Sequence, residues 1–511
     1  MNATVIKAAT VITMDAVTGS SPVTRSIRIE DGAITQVAPA VDVRDGDEVI
    51  DGTDRLVVPG FVNAHTHSWE YLYKGRYDNL PLELWMLYSY PILGGRALSP
   101  ELVGLRSRLF AMESLKNGVT TLVDDVLETP TQDRAQLAAV FDAYDEVGIR
   151  ANISGHVINR PFVDTLPFAS DLLPADLVAQ VRAQPVLTAQ EYLDYSRAAI
   201  RDQHGRAGGR LRYMLAPSGP QRCTDDLLAG ATVLGLEHGL EVHIHVLETR
   251  VQAVTGQDLY GTTLVQHLAD IGALSSGTTF AHGIWVTDHD IELMASAGVS
   301  VSHNPISNLK LGSGLAPWRR YHDAGVPVGL GSDGCSSSDT PRLHEVVKMA
   351  ALLHKAGGPD HTTWSTVDEA LRAATIGGAR TASLHKVTGS IEVGKRADLN
   401  VYDLGTLAFT PRSRVDNQLV YSENGSSLEY VLVDGRIVVD HGRLTTVDEH
   451  AAIAELRERM PAVAQWQDKL DLLNDGFAGV FDEVHRRCAA VDVGVERWTA
   501  QERGRVALRL G

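Results

Sequence analysis

A helical pattern that stops at glycine and passes at once into an apolar, β-branched run occurs five times in this chain, at Asn117-Gly118-Val119, Val147-Gly148-Ile149, His238-Gly239-Leu240, Ala297-Gly298-Val299 and Ala324-Gly325-Val326. Glycine just past a helix end takes the left-handed conformation that lets the chain turn directly into a strand. Helices alternating with short apolar strands point to a parallel sheet, because neighbouring parallel strands need a crossover between them. Candidate strands fall at residues 56–62, 119–126, 150–157, 210–216, 240–247, 278–281, 300–303 and 326–332. That number predicts an α/β fold, a closed (β/α)8 TIM-type barrel, whose active site gathers at the C-terminal ends of the strands.

The flanks follow another rule. Residues 26–37 and 428–440 alternate apolar and polar side chains around Asp31-Gly32 and Asp434-Gly435, dipeptides that favour tight hairpins. They predict a small β-sandwich formed from both chain ends, residues 1–58 and 389–446, with the barrel of residues 59–388 inserted between its halves. Residues 447–511 are expected to form a C-terminal helical appendage, with Pro461 interrupting the helical spacing of 447–487.

Composition narrows the partners. With 64 acidic against 46 basic residues and a net charge of −18, the long-range field repels phosphate, so nucleic acid is excluded as a partner. No run of about 18 apolar residues occurs, and the N-terminus lacks a basic segment followed by an apolar one. The sequence therefore predicts a soluble chain with neither membrane span nor leader. Three cysteines, Cys223, Cys335 and Cys488, cannot build a disulfide framework, which fits a reducing, cytoplasmic setting.

The chemistry lies at the strand ends. In Pro59-Gly60-Phe61-Val62-Asn63-Ala64-His65-Thr66-His67 two imidazoles stand at i and i+2 after an apolar run, so in a strand they share one face. Neutral imidazoles in that arrangement suit a divalent metal such as zinc or iron. The fifth strand ends in His243-Ile244-His245-Val246-Leu247-Glu248, where His245 extends the ligand set and Glu248 can carry protons. The sixth ends at His282, and the eighth at Asp333 between glycines. Taken singly, a strand histidine is most often a hydrogen-bonded core residue, and Asp-Gly is a turn. That account does not explain why the first, fifth, sixth and eighth strands carry such groups at the same end. His243 keeps the core reading, since His245 has the better spacing to Glu248.

These residues, with Ser302-His303-Asn304-Pro305, Ser307-Asn308-Leu309-Lys310-Leu311 and Gly389-Ser390-Ile391-Glu392-Val393-Gly394-Lys395-Arg396-Ala397-Asp398-Leu399, give the chain a resemblance to the amidohydrolase superfamily over residues 1–446. It resembles most the chlorohydrolase and aminohydrolase branch that holds triazine hydrolases, guanine deaminase and S-adenosylhomocysteine-type deaminases. The resemblance implies one divalent ion, Zn2+ with Fe2+ as the alternative, held by His65, His67, His245 and Asp333. It further implies Asp333 as general base, Glu248 as the acid that protonates a substrate ring nitrogen, and His282 as the group that orients the nucleophile. Binuclear relatives use a carboxylated lysine in the middle strands, and none of the predicted third, fourth and fifth strands contains a lysine.

The loop after the first strand carries Trp69, Tyr71, Tyr73, Trp85, Tyr88 and Tyr90, aromatic faces suited to a flat heterocycle. Trp85 resembles a pocket residue of nucleoside-processing relatives, and Gln221 and His303 are further candidate substrate contacts. Two departures stand against recognising ribose as those relatives do, since no acid lies between Trp85 and Glu101 and Ser218 occupies the place expected for a histidine. The expected reaction is hydrolytic deamination of an amino-substituted purine, pterin, pyrimidine or triazine. Dechlorination and amide hydrolysis by the same site are the alternatives, and a homo-oligomer, dimer or tetramer, is expected. A noncatalytic scaffold would show itself by lost ligands, and all six polar positions are present.

Overall fold

The computed structural model describes residues 3–90, 93–95, 97–128 and 133–498. Eight passes of chain build the barrel: Phe61–His67, Val119–Asp124, Arg150–Val157, Leu211–Pro217, Val242–Val246, Thr278–His282, Ser300–His303 and the pass that begins with Val328–Leu330. Each runs parallel to the one before it. The eighth closes the ring, because Val328–Leu330 pairs with the seventh strand while Asp333–Gly334, three residues on, pairs with Thr66 and His67 of the first. The fold is the expected α/β barrel.

Local chemistry explains how the helices are cut to length. Arg134–Val147 starts at Asp133, whose side chain accepts the Gln136 N–H while the Gln136 side chain returns to the Asp133 N–H, and it stops at Gly148 with φ +91°. This reciprocal pair satisfies two of the donors that a helix start leaves open. Each of the five junction glycines has positive φ, between 61° and 91°.

Strands from both chain ends form a second sheet. Arg55–Pro59 runs parallel to Thr4–Val11 and antiparallel to Leu399–Asp403, which joins the early hairpins to the late ones. Residues 56–62 are therefore not one barrel strand as the sequence suggested: the run divides at Gly60, with its first part in the terminal sheet and its second in the barrel. The division is steric. A Cβ on Gly60 would come within 2.2 Å of the Thr120 side chain, and the Gly60 N–H donates to the Asp398 carbonyl at 2.8 Å.

One buried ion pair ties the two sheets together. Arg150 on the third barrel strand donates to Asp398 from Nε at 2.6 Å and from Nη2 at 3.1 Å, with the two side chains 3% and 0% exposed. Asp398 also accepts the Asp434 N–H at 2.7 Å. Removing the cation would leave a buried carboxylate without its charge partner, which costs about 3–5 kcal/mol. Arg150→Ala is therefore expected to lower the urea unfolding midpoint, while Arg197→Ala, an exposed i,i+3 pair with Asp194, shifts it little.

The C-terminal segment forms helices Glu449–Asn474 and Ala478–Ala489, and residues 499–511 of the expected appendage lie outside the described residues. The helical spacing predicted a break at Pro461, but the helix runs through it. Packing beyond the proline outweighs the missing N–H: Val463, Gln467, Leu470 and Asn474 are buried, and Gln467 Nε2 donates to the Leu72 carbonyl at 3.0 Å. Val463 and Phe481 join one apolar cluster with Trp69, Trp85 and Leu87, so these helices back the wall of the barrel mouth. Among the described residues no helix is long and apolar enough to cross a membrane.

Candidate active site

The first barrel strand presents His65 and His67 on one face, as i and i+2 require, and the fifth brings His245 beside them. Hydrogen bonds fix all three rings. His67 Nδ1 faces the Asp125 carbonyl at 2.7 Å and His245 Nδ1 the Ser218 carbonyl at 3.0 Å; a carbonyl only accepts, so both Nδ1 atoms carry the proton. His243 Nδ1 donates to Glu241 at 3.1 Å, which leaves its Nε2 to accept from His65 Nδ1 at 2.7 Å. His243 thus spends both ring nitrogens on Glu241 and His65, and it orients His65.

The consequence is three Nε2 lone pairs converging on one point. Nε2 of His245 lies 3.3 Å from Nε2 of His67, and Asp333 Oδ1 lies 3.4 Å from Nε2 of both His65 and His67. His65 Nε2 is buried without a hydrogen-bond partner. Lone pairs at this separation repel unless a cation lies among them. Ligands about 2.0–2.1 Å from a tetrahedral ion stand roughly 3.3 Å from each other, so the donor set fits a divalent metal. The field agrees: His67, although burial opposes its charge, is pushed up to about 9 by Asp333, Asp125 and Glu70.

Asp333 and His282 occupy the left-handed backbone region, at φ +60° and +75°. Such conformations are costly for residues with a Cβ and persist where packing imposes them. Here they aim side chains inward from strand ends. Burial opposes the charge of Asp333, yet His65, His282 and His67 hold its carboxyl well below the usual range. Its Oδ2 accepts the Ser307 hydroxyl at 2.6 Å. His282 Nδ1 donates to Asn308 Oδ1 at 2.9 Å, which points Nε2 toward Glu248 Oε2 at 3.6 Å and Asp333 Oδ2 at 4.0 Å. Burial and the charge of Asp333 push Glu248 well above the ordinary carboxyl range.

A cleft of about 500 Å³ opens over these groups. Trp85 lines it, with Nε1 donating to Ser336 Oγ at 2.9 Å, and Trp69, Met86, Leu311 and Arg222 complete much of the wall. Gln221 and His303 do not line it. Gln221 is buried beside Gly219, and His303 packs on Trp318 with Nε2 3.1 Å from His354 Nε2, so both stand back from the cleft wall.

Sequence reasoning missed Glu70. Its carboxylate accepts the N–H groups of Ser336 and Ser337 at 2.8 and 2.9 Å and lies within 4.8 Å of both His67 and Asp333. Burial and the charge of Asp333 push it up to about 7. A Cβ on Gly334 would collide with this carboxylate, which explains the glycine after Asp333. The signal available was an acid three residues beyond the histidine pair. Ser307 stood in the motif after the seventh strand without a role of its own.

Comparison with known proteins agrees with this geometry. Residues 56–438 match the model of the amidohydrolase family, and the chain belongs to that family. It is accordingly a metal-site hydrolase of C–N bonds. A 5'-deoxyadenosine deaminase of Methanosarcina mazei is 33% identical over 455 residues, 89% of this chain and 96% of the relative. A 5-methylthioadenosine/S-adenosylhomocysteine deaminase of Caldanaerobacter subterraneus subsp. tengcongensis is 32% identical over 427 residues, 83% of this chain and 90% of the relative. Among solved structures, an adenosine deaminase from Xanthomonas campestris with bound zinc superposes with a TM-score of 0.77 at 28% identity, over 92% of this chain and 98% of its own. The atrazine chlorohydrolase of Arthrobacter aurescens TC1 complexed with zinc gives 0.80 at 25% identity, over 90% and 100%.

Proposed function

We propose that the chain removes an amino group from a nitrogen heterocycle by hydrolysis, with His65, His67, His245 and Asp333 holding one divalent ion, zinc by analogy with the two zinc-bearing neighbours. Such an ion, when bound, would lower the pKa of a water toward about 7 and so supply the nucleophile at neutral pH. The protein's own groups do the rest. Glu248 delivers a proton to the ring nitrogen next to the attacked carbon, so that the C=N bond accepts the nucleophile. Asp333, ionised and 4.0 Å from His282, takes the proton released by the nucleophile and passes it to the departing amine. His282, pinned through Nδ1 by Asn308, turns its Nε2 toward the nucleophile and orients it by accepting a hydrogen bond. Trp85 and Trp69 hold the ring flat over these groups.

The observation that carries this reading is a buried carboxyl, Glu248, pushed well above its ordinary range on the cleft wall beside a cluster of groups that could hold a metal: a proton donor and a metal site facing one small pocket. The names of the relatives support deamination, and the chlorohydrolase neighbour supports dechlorination as the second reading. We include a cytoplasmic setting, which three buried free cysteines suit, and a homo-oligomeric state as parts of the proposal. The test is a panel of purines, adenine nucleosides, pterins, pyrimidines and amino- or chlorotriazines with zinc supplied, following ammonia and chloride separately. Ammonia release with kcat/KM of about 10^4 M⁻¹s⁻¹ or more from at least one member is the expected result. Chloride alone selects the second reading, and silence across the panel rejects both.

A further inference from the structure

Among the described residues four arginines are buried to 7% exposure or less: Arg28, Arg106, Arg150 and Arg222. Three of them meet a carboxylate, in the pairs Arg28–Asp47, Arg106–Glu128 and Arg150–Asp398. Arg222 is the exception. Among the described residues its guanidinium hydrogen-bonds to the Ser218 hydroxyl, from Nη1 at 3.4 Å, and the Met86 sulfur, from Nη2 at 3.1 Å, and forms no ion pair. The first contact is long and a thioether is a weak acceptor. Two acids act on it through space without an ion pair: Glu83, whose Oε1 accepts the Thr249 hydroxyl at 2.7 Å, and Glu248, which faces His282 at 3.6 Å.

This cation is held in place. The backbone of Arg222 accepts the N–H groups of Asn159 and Arg160 at 3.2 Å each and donates to the Gly219 carbonyl at 3.0 Å, which fixes the turn that carries it. The side chain lines the same cleft as Trp85, Glu248 and His282, and among the described residues no second lysine or arginine lines that cleft. A desolvated positive charge without a carboxylate in contact is costly, and a cleft that keeps one is complementary to a ligand bearing the opposite charge.

We propose that Arg222 anchors a carboxylate on the substrate, so that the heterocycle deaminated here carries an acidic substituent. The proposal rests on the deaminase reading of the same site. The planar guanidinium fork matches a carboxylate in two parallel hydrogen bonds. One cation balances one carboxylate, whereas a phosphate, with nearly two charges, would need further cations that the described walls of this cleft lack. A neutral nucleoside would leave the guanidinium as it stands now.

The test uses matched pairs on the zinc-loaded protein: pterin and pterin-6-carboxylate, cytosine and 5-carboxycytosine, adenine and adenine-8-carboxylate, diaminotriazine and its carboxylate. Calorimetric affinity and ammonia release are both followed, for wild type, Arg222→Gln and Arg222→Lys. At least one acid is expected to bind about 100-fold more tightly than its neutral partner in wild type. Arg222→Gln should erase that preference while changing the affinity of the neutral partner less than about threefold, and Arg222→Lys should restore part of it. If no acid is preferred in binding across the four pairs, or if Arg222→Gln weakens both members of a preferred pair alike, the anchor is overturned and Arg222 only balances Glu248 and Glu83. The two readings fail separately: selective binding of an acid without ammonia release keeps the anchor and rejects the deaminase, and equal turnover of acid and neutral partner does the reverse.

Discussion

Glu248→Gln is expected to keep its metal and to lose about 10²–10⁴-fold in kcat/KM. The substitution preserves shape, and the backbone N–H of residue 248 still donates to Gln252 Oε1 at 2.7 Å, so the helix start beyond it is unaffected. What changes is the proton. Burial and the charge of Asp333 raise the Glu248 carboxyl well above its ordinary range, with Arg222 opposing them, which favours the protonated form that can act as an acid. An amide in its place offers hydrogen bonds but no transferable proton. The sign of the pH effect follows. Below its raised pKa Glu248 is protonated and able to act; as pH rises through that value the donor is lost and kcat/KM falls. Wild type should show this alkaline limb, and the residual rate of the variant should not. Metal content measured on the same samples separates chemistry from ligation, because parallel loss of metal would place Glu248 among the ligands instead of opposite them.

The legible parts of this molecule were those governed by local rules. Glycine after a helix must adopt positive φ for the next strand to begin, and five such junctions announced alternating helices and strands. Parity did the same for His65 and His67, two residues apart on one strand. Where the outcome depended on which sheet captured a segment, the sequence was silent. Residues 56–62 are uniformly apolar, so only the fit of Gly60 against Thr120 shows that the run is divided between two sheets. The side on which His303 lies was hidden for the related reason that a four-residue strand does not reveal which of its faces looks inward: its ring turns to Trp318 and His354. Pro461 obeyed neighbours far away in sequence, among them Leu72. Glu70, Ser307 and Arg222 act through partners that only the closed barrel brings near: Ser336 and Ser337, Asp333, and the open side of a cleft. Residue types and periods gave the barrel and its candidate ligands, and long-range closure gave the groups that orient and charge them.

The second large effect concerns the ion itself. Wild type is expected to hold about one divalent ion per chain, and His245→Ala should weaken that binding by more than about 100-fold, since even partners one step removed from a metal are worth about 10–100-fold. The ring of His245 supplies the Nε2 that faces His67 across 3.3 Å, and the Ser218 carbonyl holds it there from behind. Alanine removes the donor and leaves two imidazoles and one carboxylate, a set with fewer bonds to offset the dehydration of the ion. Because a ligand that binds only the folded chain stabilises it in proportion to the logarithm of its concentration over Kd, added zinc should raise the thermal midpoint of metal-stripped wild type and leave that of His245→Ala nearly unmoved. His303→Ala serves as the contrast: its ring lies away from the cleft, so its zinc response should match wild type. An unchanged zinc response in His245→Ala would remove this histidine from the ligand set, and with it the convergence of three lone pairs on which the hydrolase reading depends.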